Sequence, residues 1–410
     1  MTDRQYHIVV FGATSFVGEI LTRYLLQRHG VGGDLQWAIA GRSATKLGAL
    51  KAGLGADAEA LPVLLADAAD DAQLRQMCAQ ARVVVSTVGP YALYGSPLVA
   101  ACAQTGTDYC DLTGEVQWIR RMILAHEDEA KASGARIVHC CGFDSIPSDL
   151  GVYFLQQQAR ERFGAPCTRV KLRIKAMRGG FSGGTAASLM NVLTEVKRDP
   201  SLRKVLGNPF ALCVGDDSGR PRQPEVRLAA YDEEFGSWAG PFVMSAINTR
   251  VVHRSNHLAG HPYGRDFVYD EAMMTGRGIR GRLTAAGIGA GLGGFVAAAV
   301  VPPTRWLLER YVVPKPGEGP SPAAQESGFY DFRFIGTTAD GRSLRTKVTG
   351  DRDPGYGSTA KMLGEAAVCL AQDLPRERKA GGFWTPATAF GGQLIDRLQA
   401  HAGLRFEVLD

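Results

Sequence analysis

The sequence predicts an α/β protein: a doubly wound parallel sheet, followed by an inserted α+β domain built on an antiparallel sheet. Three observations carry this reading. Across the first 150 residues, six short apolar runs alternate with longer segments of helical character. The first run passes into "GATSFVG", a glycine turn set between a strand and a helix, as in a Rossmann fold. After about residue 165 the rhythm changes, and "TRVKLRIKAM" alternates apolar with charged residues. That period of two marks a strand with one face buried and one solvated.

The parallel sheet is expected from strands at Tyr6–Phe11, Gln36–Ala40, Pro62–Ala66, Arg82–Thr87, Asp108–Leu112 and Arg136–Cys140. Near-continuous aliphatic content, as in "VVVST", suits a sheet covered on both faces. Helices are expected at Phe16–Arg28, Leu74–Ala81, Ser96–Gln104 and Gln117–Ala132. In the second domain, Val170, Leu172 and Ile174 alternate with Lys171, Arg173 and Lys175. Further strands are expected at Phe242–Val252 and Asp266–Met273, and a hairpin at Phe329–Thr337 and Ser343–Thr349 around "ADGR". Helices at Gly357–Gln372 and Pro386–His401 then lead to "LRFEVL", a strand assigned with them to the first domain. The resulting division is 1–165, 166–355 and 356–410.

At 410 residues, 45% hydrophobic and 21% charged, the chain is long enough for two lobes of ordinary soluble composition. A net charge of +5 without a basic run gives no footprint for nucleic acid. The eight cysteines form no C-x-x-C pair, so no metal site is expected. Buried, reduced thiols and a cytoplasmic location are the simplest account, because "MTDRQYHIVVF" is too short an apolar run for a signal. "LTAAGIGAGLGGFVAAAVVPPT", residues 283–304, carries no charge, and Arg277, Arg280, Arg282, Arg305 and Arg310 flank it. A buried glycine-rich element, a peripheral contact with the inner face of a membrane, and a full span are all open for it. Residues 314–328, rich in Pro and Gly, read as a mobile surface loop.

The candidate site begins at the fingerprint. Gly12 permits the tight turn, and Gly18 lets the helix pack close to the strand. The amides of Thr14, Ser15, Phe16 and Val17 would face a pyrophosphate at the positive end of the helix. Ser15 stands where a middle glycine often falls, but its hydroxyl is small and can donate to phosphate. The second strand ends without an acid to accept from a ribose 2′-hydroxyl; Arg42 follows instead, with Ser43 and Lys46. A guanidinium there pairs with a 2′-phosphate, so NADP is expected over NAD.

Asp67 ends the third strand, either at the adenine edge or as a helix cap. Thr87, Val88, Gly89 and Pro90 leave the fourth strand at the switch point, where ligands collect. Tyr91 and Tyr94 follow, each able to reach nicotinamide or substrate, or simply to pack. Asp111, Thr113 and Glu115 end the fifth strand; Asp144, Ser145 and Asp149 end the sixth. A substrate role for Asp144 and Ser145 stands beside helix initiation at Ser145 and Pro147. In the second domain Gly184 and Thr185 open a helix that could approach a substrate, Thr185 as a plain N-cap being the alternative. Tyr91, Asp144 and bound water are the candidate proton donors.

Taken together, "GATSFVG", "AGR", "VGPYALYG", "YCDLTGE", "GFDSIPSDLG", "SGGTAASLMN" and "GDRDPGYGSTAKML" resemble the saccharopine dehydrogenase-like oxidoreductases, and within them the trans-acting enoyl reductases. The resemblance runs from Ile8 to the last residues. It implies a Rossmann lobe binding NAD(P), an inserted α+β lobe, and a chain end returning to the first lobe. Members of that branch reduce enoyl groups on polyketide or lipid thioesters held by a partner synthase. The family also holds amino-acid-forming saccharopine reductases and membrane-associated relatives.

Reducing a conjugated alkene needs hydride at the β-carbon, a donor at the thioester carbonyl and a proton at the α-carbon, but no metal. An amino diacid would instead need several cations to clamp its carboxylates. Arg173, Lys175 and Arg178 could supply them, yet their alternation reads as a solvated strand face. The expectation is therefore an NADP-dependent reductase of a hydrophobic acyl group, delivered by a synthase or carrier protein, with a homodimer as one assembly. Its alternatives are an imine-reducing amino-acid dehydrogenase and a non-catalytic NADP-binding protein on a lipid surface.

Overall fold

The six apolar runs at the start of the chain form β1 (Tyr6–Phe11), β2 (Trp37–Gly41), β3 (Val63–Leu65), β4 (Ala81–Ser86), β5 (Asp108–Asp111) and β6 (Arg136–Val138). The later strands are β7 (Cys167–Arg178), β8 (Ala230–Asp232), β9 (Ser237–Pro241), β10 (Val268–Gly276), β11 (Phe329–Thr338), β12 (Ser343–Gly350), β13 (Gly382–Trp384) and β14 (Leu404–Leu409). The computed structural model describes residues 4–179, 183–215, 219–311 and 319–409. They divide into two units, residues 4–144 with 319 and 355–402, and residues 145–179, 183–215, 219–311, 320–354 and 403–409.

The first unit is a parallel sheet of order β13-β6-β5-β4-β1-β2-β3. Ile8, Val9 and Val10 on β1 and Val83, Val84 and Val85 on β4 are fully buried, as strands covered on both faces require. The strand order reverses between β1 and β4, which register Phe11 against Ser86. Their carboxyl ends therefore diverge into the two loops that build the site. β13 is a seventh strand that sequence reading passes over, because three residues carry too short a pattern to stand out.

Arg136 explains how the C-terminal helices reach this sheet. Its buried guanidinium pairs with Asp108 and donates to the carbonyls of Leu374 and Leu370, 2.7 and 3.0 Å away. A buried charge is tolerable only with such partners.

The second unit departs from expectation in four ways. Its sheet, of order β14-β12-β11-β7-β10-β9-β8, is mixed and not purely antiparallel, because β7 and β10 run parallel. The connection between them is long enough to bring the chain back in the same direction. The segment expected as strand Phe242–Val252 folds mainly as the helix Ser245–Leu258, which buries Ile247, Val251, Val252 and Ser255. Residues 247–249 and 251–256 are all buried, and packing on nearly every side of the helix outweighs the β-branched composition. β14 pairs with β12, Phe406 opposite Val348, and so joins the second sheet and not the first. Finally, the boundary falls at residues 144 and 145, so the helix Ile146–Phe163 belongs to the second unit. Gly151 lets that helix lie against β11: a Cβ there would sit 2.3 Å from the Phe334 ring.

Arg173 is also misread by alternation. It is 4% exposed, locked 2.7 Å from both Asp232 and Asp270. Lys175 and Arg178 on the same strand are exposed, as expected. All eight cysteines are buried free thiols. Residues 312–318 of the Pro- and Gly-rich loop lie outside the described residues, and Pro322–Glu326 of the same stretch forms a short helix.

Candidate active site

The fingerprint turn is fixed by backbone geometry. Gly12 has φ 84°, and a Cβ there would meet Val88 at 2.6 Å and Thr87 at 2.9 Å. A Cβ on Gly18 would lie 2.2 Å from the Gly12 carbonyl, so the helix Phe16–His29 packs on its own turn only through a bare glycine. Ser15 is the N-cap of this helix: its Oγ accepts from the Gly18 amide at 3.0 Å. Its hydroxyl donates to Thr87 Oγ1 at 2.9 Å, and the Thr87 hydroxyl donates to the Gly12 carbonyl at 2.9 Å. The serine proton expected at a phosphate is therefore spent on tying the β1 loop to the β4 loop. By position, Phe16 and Val17 keep amides without intrahelical acceptors. Thr14, Ser15, Phe16 and Val17 are all partly exposed.

At the end of β2, Ser43 caps the next helix by accepting from the Lys46 amide at 3.3 Å. Arg42 and Lys46 are exposed, and neither makes an ion pair among the described residues. Two free cations at this strand end match a 2′-phosphate. Asp67 does not cap: Asp70 does, accepting from Ala72 and Gln73, while Asp67 Oδ1 accepts from the Ala69 amide.

Past β4, Thr87 is buried, Val88 and Pro90 are partly exposed and Gly89 is exposed, with a cis peptide joining Gly89 to Pro90. Tyr91 does not remain free for chemistry. It is 3% exposed, donates to the Ser86 carbonyl at 2.9 Å and accepts from the Leu112 amide at 3.4 Å. Burial, then the Asp111 charge, pushes its pKa well above the usual tyrosine value. Its proton is held within the scaffold, so Tyr91 is removed from the proton donors. Tyr94, at 48% exposure, is the tyrosine of this loop that faces solvent.

Thr359 was missed in the sequence, and Glu115, named there at the end of the fifth strand, was given no partner. Both carboxylate oxygens of buried Glu115 accept from the short helix that starts at Tyr91, at 2.8 Å from its amide and 3.0 Å from that of Ala92. Thr359 Oγ1 accepts from the Phe143 amide at 3.0 Å and braces the turn carrying Asp144. Thr359 stands in "GYGSTAKML", whose density of small residues was its signal; Glu115 stood out as an acid after the fifth strand, but its partners, 23 and 24 positions away, did not.

Residues 8–138 match the family model described as the saccharopine dehydrogenase NADP binding domain. Over 97% of this chain and 96% of its own, a Mycobacterium tuberculosis protein provisionally named a trans-acting enoyl reductase is 42% identical. A trans-acting enoyl reductase of Mycobacterium ulcerans is 38% identical over the same shares. The chain belongs to the saccharopine dehydrogenase-like family. A saccharopine dehydrogenase of Saccharomyces cerevisiae shares the fold, with a TM-score of 0.56 at 12% identity, covering 98% of this chain and 99% of that one.

As a member of this family the chain is an NADP-dependent oxidoreductase. The glycine turn, the unsatisfied helix amides and the unpaired Arg42 and Lys46 fit that cofactor. Bound there, NADPH supplies a hydride.

Of the acids at the sheet edge, Asp111 is fully engaged. Its Oδ2 lies 2.7 Å from His139 Nδ1 and accepts from the Tyr109 hydroxyl at 2.9 Å, while Oδ1 accepts from the amides of Thr113 and Cys140, each at 3.1 Å. Among the described residues Asp144 has no such partners beyond its own amide, and it is partly exposed. Burial, with a contribution from the Asp111 charge, pushes its carboxyl up to about 7, although its own amide opposes the shift. Such a carboxyl can hold a proton near neutrality.

Gly184 and Thr185, expected in the second domain, and Ser145, expected in the first, all fall in the second unit. Ser145 is fully buried and donates to Asn248 Oδ1 at 3.1 Å, so its hydroxyl serves packing and not a substrate. Thr185 lies in the first turn of the helix Gly183–Arg198, not at its cap. Gly184 is exposed beside it.

Proposed function

We propose that the protein is a trans-acting enoyl reductase, reducing the carbon–carbon double bond of an α,β-unsaturated acyl thioester carried on a separate synthase or carrier protein. The observation that carries this is the likeness to relatives of that name across nearly the whole chain, both units included. The buried state of Arg173 supports it. A diacid substrate would need free, converging cations, and this guanidinium is already shared between two carboxylates. In this reading Arg42 and Lys46 hold the 2′-phosphate, and Asp144 gives the proton to the α-carbon.

The test is NADPH oxidation with an enoyl thioester, and separately with a keto acid plus an amine. Saturated thioester as the product supports the proposal. Turnover of the second pair alone would make the enzyme an imine reductase. The cofactor assignment is tested on the same protein. Arg42→Ala should weaken NADPH binding by about 10- to 100-fold, the worth of a charge-assisted contact, and leave NADH almost unchanged. Equal loss for both cofactors would move the 2′-phosphate elsewhere.

A further inference from the structure

The apolar run expected somewhere between burial and lipid is a helix, Gly278–Val300, with one narrow face against protein. Gly281, Ala285 and Gly289, spaced by four, are its buried residues in the first half. They let backbone approach backbone: a Cβ on Gly240 would lie 3.1 Å from the Ala285 carbonyl, and one on Gly289 would lie 2.9 Å from that of Arg227. A helix seated on a sheet along one side cannot be ringed by lipid, so this element does not span a bilayer. Its other side faces outward, about 34 Å long at the usual rise per residue. Ile279 and Leu283 are 66% and 64% exposed at one end, Val300 and Val301 about half exposed at the other. Trp306 and Leu307 on the following helix, Pro302–Tyr311, are 56% and 47% exposed. From Leu283 to Thr304 there is no charged residue, whereas a helix face meant for water carries them.

The charges gather at the ends, and they have one sign. Arg277, Arg280 and Arg282 stand at the helix start, Arg305 and Arg310 beyond its end, against a single acid, Glu309, between 277 and 311. Three arginines at a helix N-terminus work against the helix dipole, so they do not serve the helix itself. Arg282 stacks on the Trp238 ring, Arg310 on Trp306, and Arg280 is exposed without a partner among the described residues. Beside the helix end lies a cavity of about 240 Å³ lined by Leu193, Val300, Trp306 and the cations Lys197 and Arg305. Two cations beside apolar walls suit the phosphate of a lipid headgroup.

We propose that this face docks on an anionic phospholipid surface, with the helix lying in the plane of the headgroups and the arginines on lipid phosphates. This placement is independent of the reaction and is tested without turnover. The full-length protein is sedimented with vesicles of phosphatidylcholine alone and of phosphatidylcholine mixed equally with phosphatidylglycerol. Binding to the mixed vesicles is expected to exceed binding to the neutral ones by about tenfold or more, and to weaken with added salt.

The double variant Leu283→Glu, Trp306→Glu should lose vesicle binding while keeping its thermal midpoint and NADPH affinity, since both side chains are exposed. Absence of binding to either vesicle would overturn the proposal, as would undiminished binding of the double variant. If the wild type forms a dimer that the same two substitutions dissolve, and no vesicle is bound, the face belongs to a second copy of the chain.

Discussion

At the scale of single residues, the site separates groups that carry structure from one that can carry a proton. Ser15, in the place of a glycine, works as a helix cap and a tie to Thr87. Ser15→Ala is expected to cost about 1 kcal/mol in chemical denaturation, the worth of an N-cap, with NADPH affinity changed less than threefold. Asp144 is the opposite case. A carboxyl raised to about 7 from 3.8 is still largely protonated when other acids have ionised. As proton donor it acts only when protonated, so turnover should fall as pH rises through about 7. In Asp144→Asn that limb should vanish and turnover drop by about 10²- to 10⁴-fold. Stability must move the other way. A carboxyl with a raised folded pKa disfavours the fold as pH climbs from 3.8 to about 7, so the Asn variant should be at least as stable as wild type at pH 8. A pH limb that persists in the variant would assign the proton to water.

At the scale of elements, what the sequence revealed followed from how completely each element is buried. The central strands β1 and β4 were legible because both are apolar and covered on both sides, as Val83, Val84 and Val85 are. The hairpin of β11 and β12 was legible through its turn. The segment after Phe242 misled because Val, Ile and Thr suit strands by composition, yet here they belong to a helix buried on nearly every side. β7 misled for a different reason: strict alternation implies a wet face, but the charged Arg173 on it is buried between Asp232 and Asp270. Partners 59 and 97 positions away are invisible to a local pattern. The triad carries its own prediction. Arg173→Met leaves buried Asp270 without its counter-charge and Asp232 with Lys171 alone, 3.5 Å away, and is expected to cost about 3–5 kcal/mol of stability, measured by urea denaturation at pH 7. A loss below 1 kcal/mol would mean that water reaches the pair.

At the scale of the whole molecule, the chain passes from one unit to the other more than once, and its last residues end in the second. The helices of residues 355–402 serve the first unit, where Arg136 holds Leu370 and Leu374 and where Thr359 braces the turn before Asp144. The final strand does not follow them. It lies beside β12, registering Glu407 with Lys347, whose side chains pair at 2.7 Å, and burying Leu404 and Phe406. The two placements of β14 have opposite consequences for a chain cut after Ala402. Were the strand part of the nucleotide-binding sheet, removing it would damage cofactor binding first. Since it is an edge of the second sheet, its loss should bare the hydrogen-bonding edge of β12 and the apolar surface under Phe406. The shortened protein should therefore bind NADPH with an affinity within a few-fold of wild type by fluorescence titration, yet unfold at a lower temperature and aggregate on concentration. Loss of NADPH affinity at a temperature where the shortened chain is still folded would refute that division of labour.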